Sequence, residues 1–246
     1  MKKIIRMVVV CLMVVMVAAF GLVGCDTARK LGGAEMSFPS KISNAKTLSF
    51  KMNVNYKKGD QDVTIDMDCY KQDGEYAYRY TCPQATYASY KNIYADNKLY
   101  EIANSTPHTG SYYIKDDVSV DDESNILYHV TQKIMLTSVA ALLTKAHKEQ
   151  LNGEDVYRYD VEISGKNISV WYNSEVIVKL YVKFDGENGE DAEEYTFLLS
   201  DYKFDEEIPS DIFTCPSASL LDGYVESPIS FESWMEIIES FAGKLG

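Results

Sequence analysis

The sequence predicts an α+β domain in which a strongly curved antiparallel sheet, a half-barrel of about nine or ten strands, is covered by helices. Two observations support this class. Apolar and polar residues alternate at a period of two in two separate stretches, which is typical of strands with one buried face. Between and after these stretches, the apolar spacing becomes helical, which predicts a central helical insertion and a C-terminal helix. A sheet with one apolar face must be covered in water, and we expect the helices to cover it.

The first alternating stretch, residues 47–102, predicts two tight hairpins and a third beyond them. Turns are expected at Lys58-Gly59 and at Asp73-Gly74, since glycine favours the left-handed backbone of hairpin turns. Symmetric closure gives the facing pairs Leu48–Cys69, Phe50–Met67, Met52–Ile65 and Val54–Val63, followed by Cys69–Tyr78, Met67–Tyr80 and Ile65–Cys82. The third hairpin turns at Asp96-Asn97 and pairs Tyr94 with Leu99, and a short strand is expected over 112–115.

Residues 124–148 show the apolar spacing of a helix that lies on the sheet. The second alternating stretch, residues 157–199, repeats the strand pattern with a turn at Gly165-Lys166 and an odd-length loop over 173–175. The expected facing pairs are Ile163–Ile168, Val161–Val170 and Tyr159–Tyr172, then Val182–Tyr195, Leu180–Phe197 and Val178–Leu199. Ser230 is expected to cap a C-terminal amphipathic helix that ends near Leu245.

The N-terminus has the pattern of a secretory signal peptide over residues 1–24, with Lys2, Lys3 and Arg6 before an apolar run. The run ends at Leu22-Val23-Gly24-Cys25, which resembles the lipobox of bacterial lipoproteins. That resemblance implies cleavage before Cys25 and attachment of diacylglycerol to its sulfur. An uncleaved membrane anchor is the alternative, since the run is nearly long enough to span a bilayer.

We therefore expect a protein that is anchored to a membrane by lipid without spanning it. Residues 25–46 are polar and aperiodic, which is typical of a tether, and residues 47–246 form a single domain. Asp26, next to the lipidated cysteine, favours retention at the extracytoplasmic face of the cytoplasmic membrane.

Charge argues against nucleic acid as a partner. The formal net charge is −13 for 246 residues, and it becomes −16 when the three basic residues of the signal peptide are removed. An acidic surface of this kind repels phosphate backbones and anionic lipid headgroups. Solubility is the simplest explanation of the acidity.

Three cysteines remain in the expected domain: Cys69, Cys82 and Cys215. The predicted register places Cys69 and Cys82 about four residues apart along neighbouring strands, roughly 13 Å, which is too far for a disulfide. Cys82 and Cys215 both stand in a Thr-Cys-Pro tripeptide that closes a strand-like segment. They are the possible disulfide pair.

The sequence indicates no enzyme, cofactor or metal site. His108, His129 and His147 are not spaced as metal ligands, and nucleotide-binding and hydrolase motifs do not occur. The match of 43–46 to Ser-x-x-Lys lacks its companion motifs. The acidic loop 185–191 departs from the EF-hand pattern and is better explained as a solvated hairpin loop.

The order of elements, together with the lipobox, resembles the LolA/LppX superfamily over residues 47–216. Two local runs carry the rest of the resemblance: Val170-Trp171-Tyr172-Asn173 at a strand end, and 204–209 with Phe213 and Pro216 after the last long strand. Proteins of that superfamily are unclosed β-barrels that hold acyl chains or lipids between a curved sheet and helical lids. This chain lacks the long helix that usually precedes the first strand, and it adds a C-terminal helix.

Two functions follow as hypotheses. In the first, the sheet and helices enclose a cavity for a lipid or acyl chain, because two apolar faces exceed what two helices cover. The candidate lining residues are Phe50, Met52, Ile65, Met67, Tyr80, Val161, Val178, Leu180 and Phe197. The same residues are equally suited to an ordinary core. The alternative is a cell-envelope sensor or interaction module with a packed core, no ligand and an unidentified protein partner.

Overall fold

The computed structural model describes residues 37–82, 85–106, 109–122, 125, 127–128, 145–163, 166–173, 175–185, 191–214 and 221–228. These residues form one open sheet of twelve strands in the order β12-β6-β5-β4-β3-β2-β1-β11-β10-β9-β8-β7. Neighbouring strands are antiparallel, except that β12 runs parallel to β6. The strands are β1 (Thr47–Lys58), β2 (Gln61–Gln72), β3 (Glu75–Cys82), β4 (Ala85–Ala95), β5 (Lys98–Thr106), β6 (Thr109–Lys115), β7 (His147–Leu151), β8 (Glu154–Ile163), β9 (Lys166–Tyr172), β10 (Ile177–Phe184), β11 (Glu193–Phe204) and β12 (Val225–Glu226).

The predicted α+β class is wrong, because the described residues are nearly all β. Their longest helix is α1 (Ser37–Asn44), with eight residues, and a 3-10 turn, Ser210–Phe213, follows β11. The expected helix over 124–148 lies mostly outside the described residues. Its last two positions, His147 and Lys148, begin strand β7 instead. The expected C-terminal helix from Ser230 lies wholly outside the described residues.

The twelve strands exceed the nine or ten expected, because β7 and β12 were not predicted. Both are short and lie at the edges of the sheet. A five-residue strand and a two-residue strand present too few positions for a period of two to be recognised.

Among the described residues, no helix has the length and apolarity needed to cross a membrane.

Faces were predicted correctly in the first hairpin, but its register was not. Lys58 pairs with Gln61, so the turn is formed by Gly59 and Asp60 rather than by Lys58 and Gly59. Gly59 adopts a left-handed φ of 54°. The observed pairs are Phe50–Cys69, Met52–Met67, Val54–Ile65 and Tyr56–Val63. Because the shift is two residues, every side chain keeps its predicted face.

The next hairpins have the predicted register. Cys69 pairs with Tyr78 across the Asp73-Gly74 turn, and Tyr94 pairs with Leu99 across the Asp96-Asn97 turn. Asp73, Asp96 and Asn97 all have positive φ. Backbone of this kind matches the twist of the strands, and Asp, Asn and Gly tolerate it best.

The second half shows the same two-residue shift. Val161 pairs with Ile168 rather than with Val170, and Tyr159 pairs with Val170. The predicted pairs Val182–Tyr195 and Leu180–Phe197 are confirmed. Four residues separate Tyr172 from its partner Ile177, so the expected odd-length loop over 173–175 is wrong. The register of β10 then slips between Ile177 and Lys179, which marks a bulge at the start of this strand.

The two halves become one sheet through pairing of β1 with β11. This contact was not predicted, since the two strands lie at opposite ends of the sheet-forming sequence. We call the inner face the side of the sheet that carries the main apolar cluster, and the outer face the opposite side. Helix α1 lies against that cluster, with Phe38 and Ile42 buried in it. The expected tether segment 25–46 therefore contributes its described end to the core.

Candidate functional site

The inner face is organised in rows of side chains that run across the strands. One row joins Met67, Met52 and Leu199, all buried. Another joins Val63, Tyr56, Tyr195, Val182 and Ile168, also all buried. The row between them joins Ile65, Val54, Phe197, Leu180 and Val170. Pairing of β1 with β11 is what makes each row continuous.

The middle row differs from its neighbours because its centre is not fully covered. Val54, Phe197 and Leu180 pack against the main cluster but are only partly buried, whereas Ile65 and Val170 at the two ends of the row are 5% and 0% exposed. We call Val54, Leu180 and Phe197 the central patch. It lies on three adjacent strands, β1, β11 and β10, and is apolar throughout. Such a surface suits contact with an apolar group.

The nine residues predicted to line a cavity do not share one environment. Phe50, Met52, Ile65 and Met67 are buried, with 5%, 6%, 5% and 2% exposure. Leu180 and Phe197 belong to the central patch. Val178 lies in the bulge of β10 and is partly exposed.

For the remaining residues predicted to have a functional role, the structure describes either the backbone position alone or no part of the residue. Tyr80 lies in β3 opposite Met67, and Val161 lies in β8 opposite Ile168. Cys82 ends β3. Cys215 and Cys25 lie outside the described residues, so the possible disulfide and the lipid attachment stay predictions. Cys69 is a buried free thiol, and burial raises its pKa well above the ordinary value.

A bulge in β11 brings two more aromatic side chains to the inner face. Ser49 pairs with Lys203 but Lys51 pairs with Ser200, so Asp201 and Tyr202 both stand opposite one residue of β1. Asp201 has a left-handed φ of 54°. An extra residue reverses the alternation of a strand beyond it. Tyr202 and Phe204 therefore join the inner cluster.

Tyr202 lies among aromatic rings under helix α1. Its ring stacks on Phe50 with centroids 5.4 Å apart, and it meets Phe38 edge-on at 5.6 Å. Its hydroxyl is buried and makes no hydrogen bond to a described residue. Burial is the largest cause of its raised pKa, followed by the nearby Cys69 and Tyr172. This end of the inner face is therefore apolar and aromatic.

On strands β4 and β5, the inner face holds a buried polar cluster that was not predicted from the sequence. The Tyr90 hydroxyl donates a hydrogen bond to Oε1 of Glu101, and Asn92 also hydrogen-bonds to the Glu101 carboxylate. Tyr90, Asn92 and Glu101 are 0%, 1% and 8% exposed. Burial raises the pKa of Glu101, while its hydrogen bonds and the nearby Lys115 oppose that rise. Lys115 itself forms an ion pair of 2.8 Å with Asp122.

A sequence signal for this cluster was present. The correctly predicted pair of Tyr94 with Leu99 places Asn92 opposite Glu101 two residues farther along each strand. Both therefore occupy inward positions of an otherwise apolar alternation. Polar residues at such positions are expected to be paired with each other when buried.

Metal binding receives no support from the described part of the chain, where no group of three or more His, Cys, Asp or Glu side chains could hold an ion. His147 lies exposed in β7. His108 and His129 lie outside the described residues.

No protein-family model matches the chain, and no curated protein matches it. Among solved structures, it is similar to LprF from Mycobacterium bovis, with 10% identity, coverage of 73% of this chain and 95% of LprF, and a TM-score of 0.45. An uncharacterized conserved protein from Thermus thermophilus is similar at 7% identity, 79% and 100% coverage, and a TM-score of 0.42.

A third similar structure is PNGF-II, at 11% identity and a TM-score of 0.32. The match covers 80% of this chain but 34% of PNGF-II, so the chain spans about a third of that protein. These similarities assign the chain to no family, and the resemblance to the LolA/LppX superfamily stays a prediction.

Proposed function

We propose that this chain is a bacterial lipoprotein, anchored through Cys25 at the extracytoplasmic face of the cytoplasmic membrane, whose inner face binds a lipid or acyl chain. No reaction is assigned to it. The observation that carries the proposal is the central patch. It is an apolar surface left partly exposed between two buried rows of the same face.

The division of the inner face supports an amphipathic ligand. Removing apolar surface from water is favourable by roughly 25 cal/mol per Å², so an acyl chain laid over Val54, Leu180 and Phe197 would gain free energy. The polar cluster around Glu101 lies four strands away from Val54, about 19 Å across the sheet. A lipid has the same division between an apolar and a polar part.

A sensor or interaction module without a ligand is the second candidate. The observation in its favour is the burial of Phe50, Met52, Ile65 and Met67, which are at most 6% exposed. In this case, those residues form an ordinary core, and the central patch contacts a protein. The two functions differ in what touches Phe197.

Site-specific photo-crosslinking in living cells separates them. The full chain is expressed with p-benzoylphenylalanine in place of Phe197, and cells grown with labelled fatty acid are irradiated. We expect a lipid adduct on the protein beyond the acylation at Cys25, detected by mass spectrometry after digestion. The matched control places the same probe at Leu198, the next residue, which is 40% exposed on the outer face.

A lipid adduct at 197 but not at 198 supports ligand binding on the inner face. Equal lipid adducts at both positions would mean contact with the bilayer alone and would overturn the proposal. A protein adduct confined to 197 would favour the interaction module. Mutation of Cys25 to Ser tests the anchor separately, since the variant should leave the membrane fraction.

A further inference from the structure

A cleft of about 430 Å³ opens on the outer face of the sheet, away from the central patch. It lies where the β2–β3 and β4–β5 turns come next to the 3-10 turn Ser210–Phe213. Its lining residues are Gln72, Glu75, Ala95, Asp96, Tyr100, Ser210, Phe213 and Thr214. The volume falls in the range of small-molecule sites, roughly 300–1,000 Å³.

One wall of the cleft is acidic. Glu75 begins β3 directly after the Asp73-Gly74 turn. Asp96 belongs to the β4–β5 turn, which lies at the same end of the strands. Burial raises the pKa of Glu75, and the negative charges of Asp96 and Asp73 raise it further. Within the described parts of the chain, no cationic side chain pairs with Glu75 or Asp96. A bound cation would offset this repulsion.

Two aromatic side chains, Phe213 and Tyr100, also line the cleft. Phe213 is 7% exposed and belongs to the second apolar cluster, together with Ala77, Ile93 and Ile208. Tyr100 packs against the same cluster from β5. The 3-10 turn is thereby held against the sheet by buried contacts, so the cleft is formed before any ligand arrives. Aromatic rings attract ammonium groups through their negative faces.

We propose that this cleft binds a small organic cation that carries an ammonium group. Glu75 and Asp96 supply the negative charge, and Tyr100 and Phe213 supply the aromatic walls. The hydroxyl and amide groups of Ser210, Thr214 and Gln72 are available as hydrogen-bond acceptors for an ammonium group. A bare metal ion fits less well, because aromatic walls add nothing to its coordination, and the described residues hold no set of three ligands.

Isothermal titration calorimetry on the full chain in non-ionic detergent tests this proposal, with cadaverine as the organic cation and calcium chloride as the metal probe. We expect saturable binding of cadaverine. Glu75→Gln should weaken that binding about five- to tenfold, since it removes a partly desolvated charge. Tyr100→Leu should weaken it by a similar factor, which a simple charge effect would not produce.

Glu154→Gln is the matched control. Glu154 begins β8 directly after the Asn152-Gly153 turn, as Glu75 begins β3 after its turn, but it lines no part of the cleft. The Glu154→Gln variant should bind cadaverine as tightly as the unmodified chain does. Thermal unfolding checks that each variant is folded. Absence of saturable binding, equal loss with Glu154→Gln, or binding of calcium in preference to cadaverine would each overturn the proposal.

Discussion

Two regions of the inner face differ in chemistry and in how they are assembled. On β4 and β5, Tyr90, Asn92 and Glu101 form a polar cluster within a single hairpin. On β10, β11 and β1, Val54, Leu180 and Phe197 form an apolar patch that exists only because the last long strand pairs with the first. The comparison shows that local pairing is enough to build a polar site, whereas the apolar contact surface depends on a long-range pairing.

The largest expected effect lies at the junction of β1 and β11. Leu199 is 3% exposed and stands opposite Met52. We expect Leu199→Ala to lower the free energy of unfolding by about 2–5 kcal/mol, because it leaves a cavity in the buried row that joins β2, β1 and β11. Denaturant titration followed by circular dichroism measures this. Leu198→Ala, on the outer face, should change it by less than about 0.5 kcal/mol. Equal losses would contradict the assignment of the two faces.

A smaller loss of stability is expected when the polar cluster of Tyr90, Asn92 and Glu101 is changed. Glu101→Ala removes the acceptor of the Tyr90 hydroxyl and the hydrogen-bond partner of Asn92, and losing buried hydrogen bonds to a carboxylate costs about 1–3 kcal/mol. Glu101→Gln keeps an acceptor oxygen and should lose less. The same denaturant titration compares the two variants. If the alanine variant is the more stable of the two, the cluster does not stabilise the fold through its hydrogen bonds.

The bulge of β11 offers a third test. Asp201 adopts a left-handed backbone, in which a β-branched residue is strained by roughly 1–2 kcal/mol. Asp201→Val should therefore destabilise the protein by about that amount, while Asp201→Gly should leave stability unchanged or raise it slightly. The Lys51–Asp201 ion pair is exposed and contributes little. Equal effects of the two substitutions would mean that the bulge is not held by this conformation.

The smallest expected effect is a pH dependence of stability that arises from Glu101 in the polar cluster. Burial holds the pKa of Glu101 above its ordinary value of 4.5, so its stabilising contribution is complete below that pH. The contribution is lost as pH rises through the pKa of the folded state. Unfolding titrations between pH ~4 and ~7 should show the unmodified chain losing stability relative to Glu101→Gln. A relative gain with rising pH would show that the partners of Glu101 outweigh its burial.

Much of the strand content could be predicted, and the reason lies in turn chemistry. Asp73-Gly74 and Asp96-Asn97 place their left-handed residues where a two-residue turn needs them, and both registers were right. At Gly59 the glycine is the first turn residue rather than the second, so the register moved by two. An even shift preserves the face of every side chain. Leu180 and Phe197 were thus recognised as inward residues, but the paired partners in the first hairpin were not.

Other features of the site left no local trace. Val54 was seen as an inward residue, but its place beside Phe197 depends on the pairing of β1 with β11. The bulges near Val178 and Asp201 each change the face on which the neighbouring side chains of the strand lie. The sequence pattern alone does not show where such a change occurs. The cleft at Glu75 and Tyr100 requires a 3-10 turn from the far end of the chain.

Within an uninterrupted strand, the sequence alone indicated which side chains share a face, because side-chain direction follows from a period of two and needs no knowledge of neighbours. Which strands are neighbours, where the bulges fall and which apolar residues stay partly exposed followed from the folded sheet as a whole. Hydrogen bonds between strands join backbone N–H and C=O groups, which hardly differ from one residue type to another. The side chains of one strand therefore do not identify its distant partner. No local pattern can specify that choice.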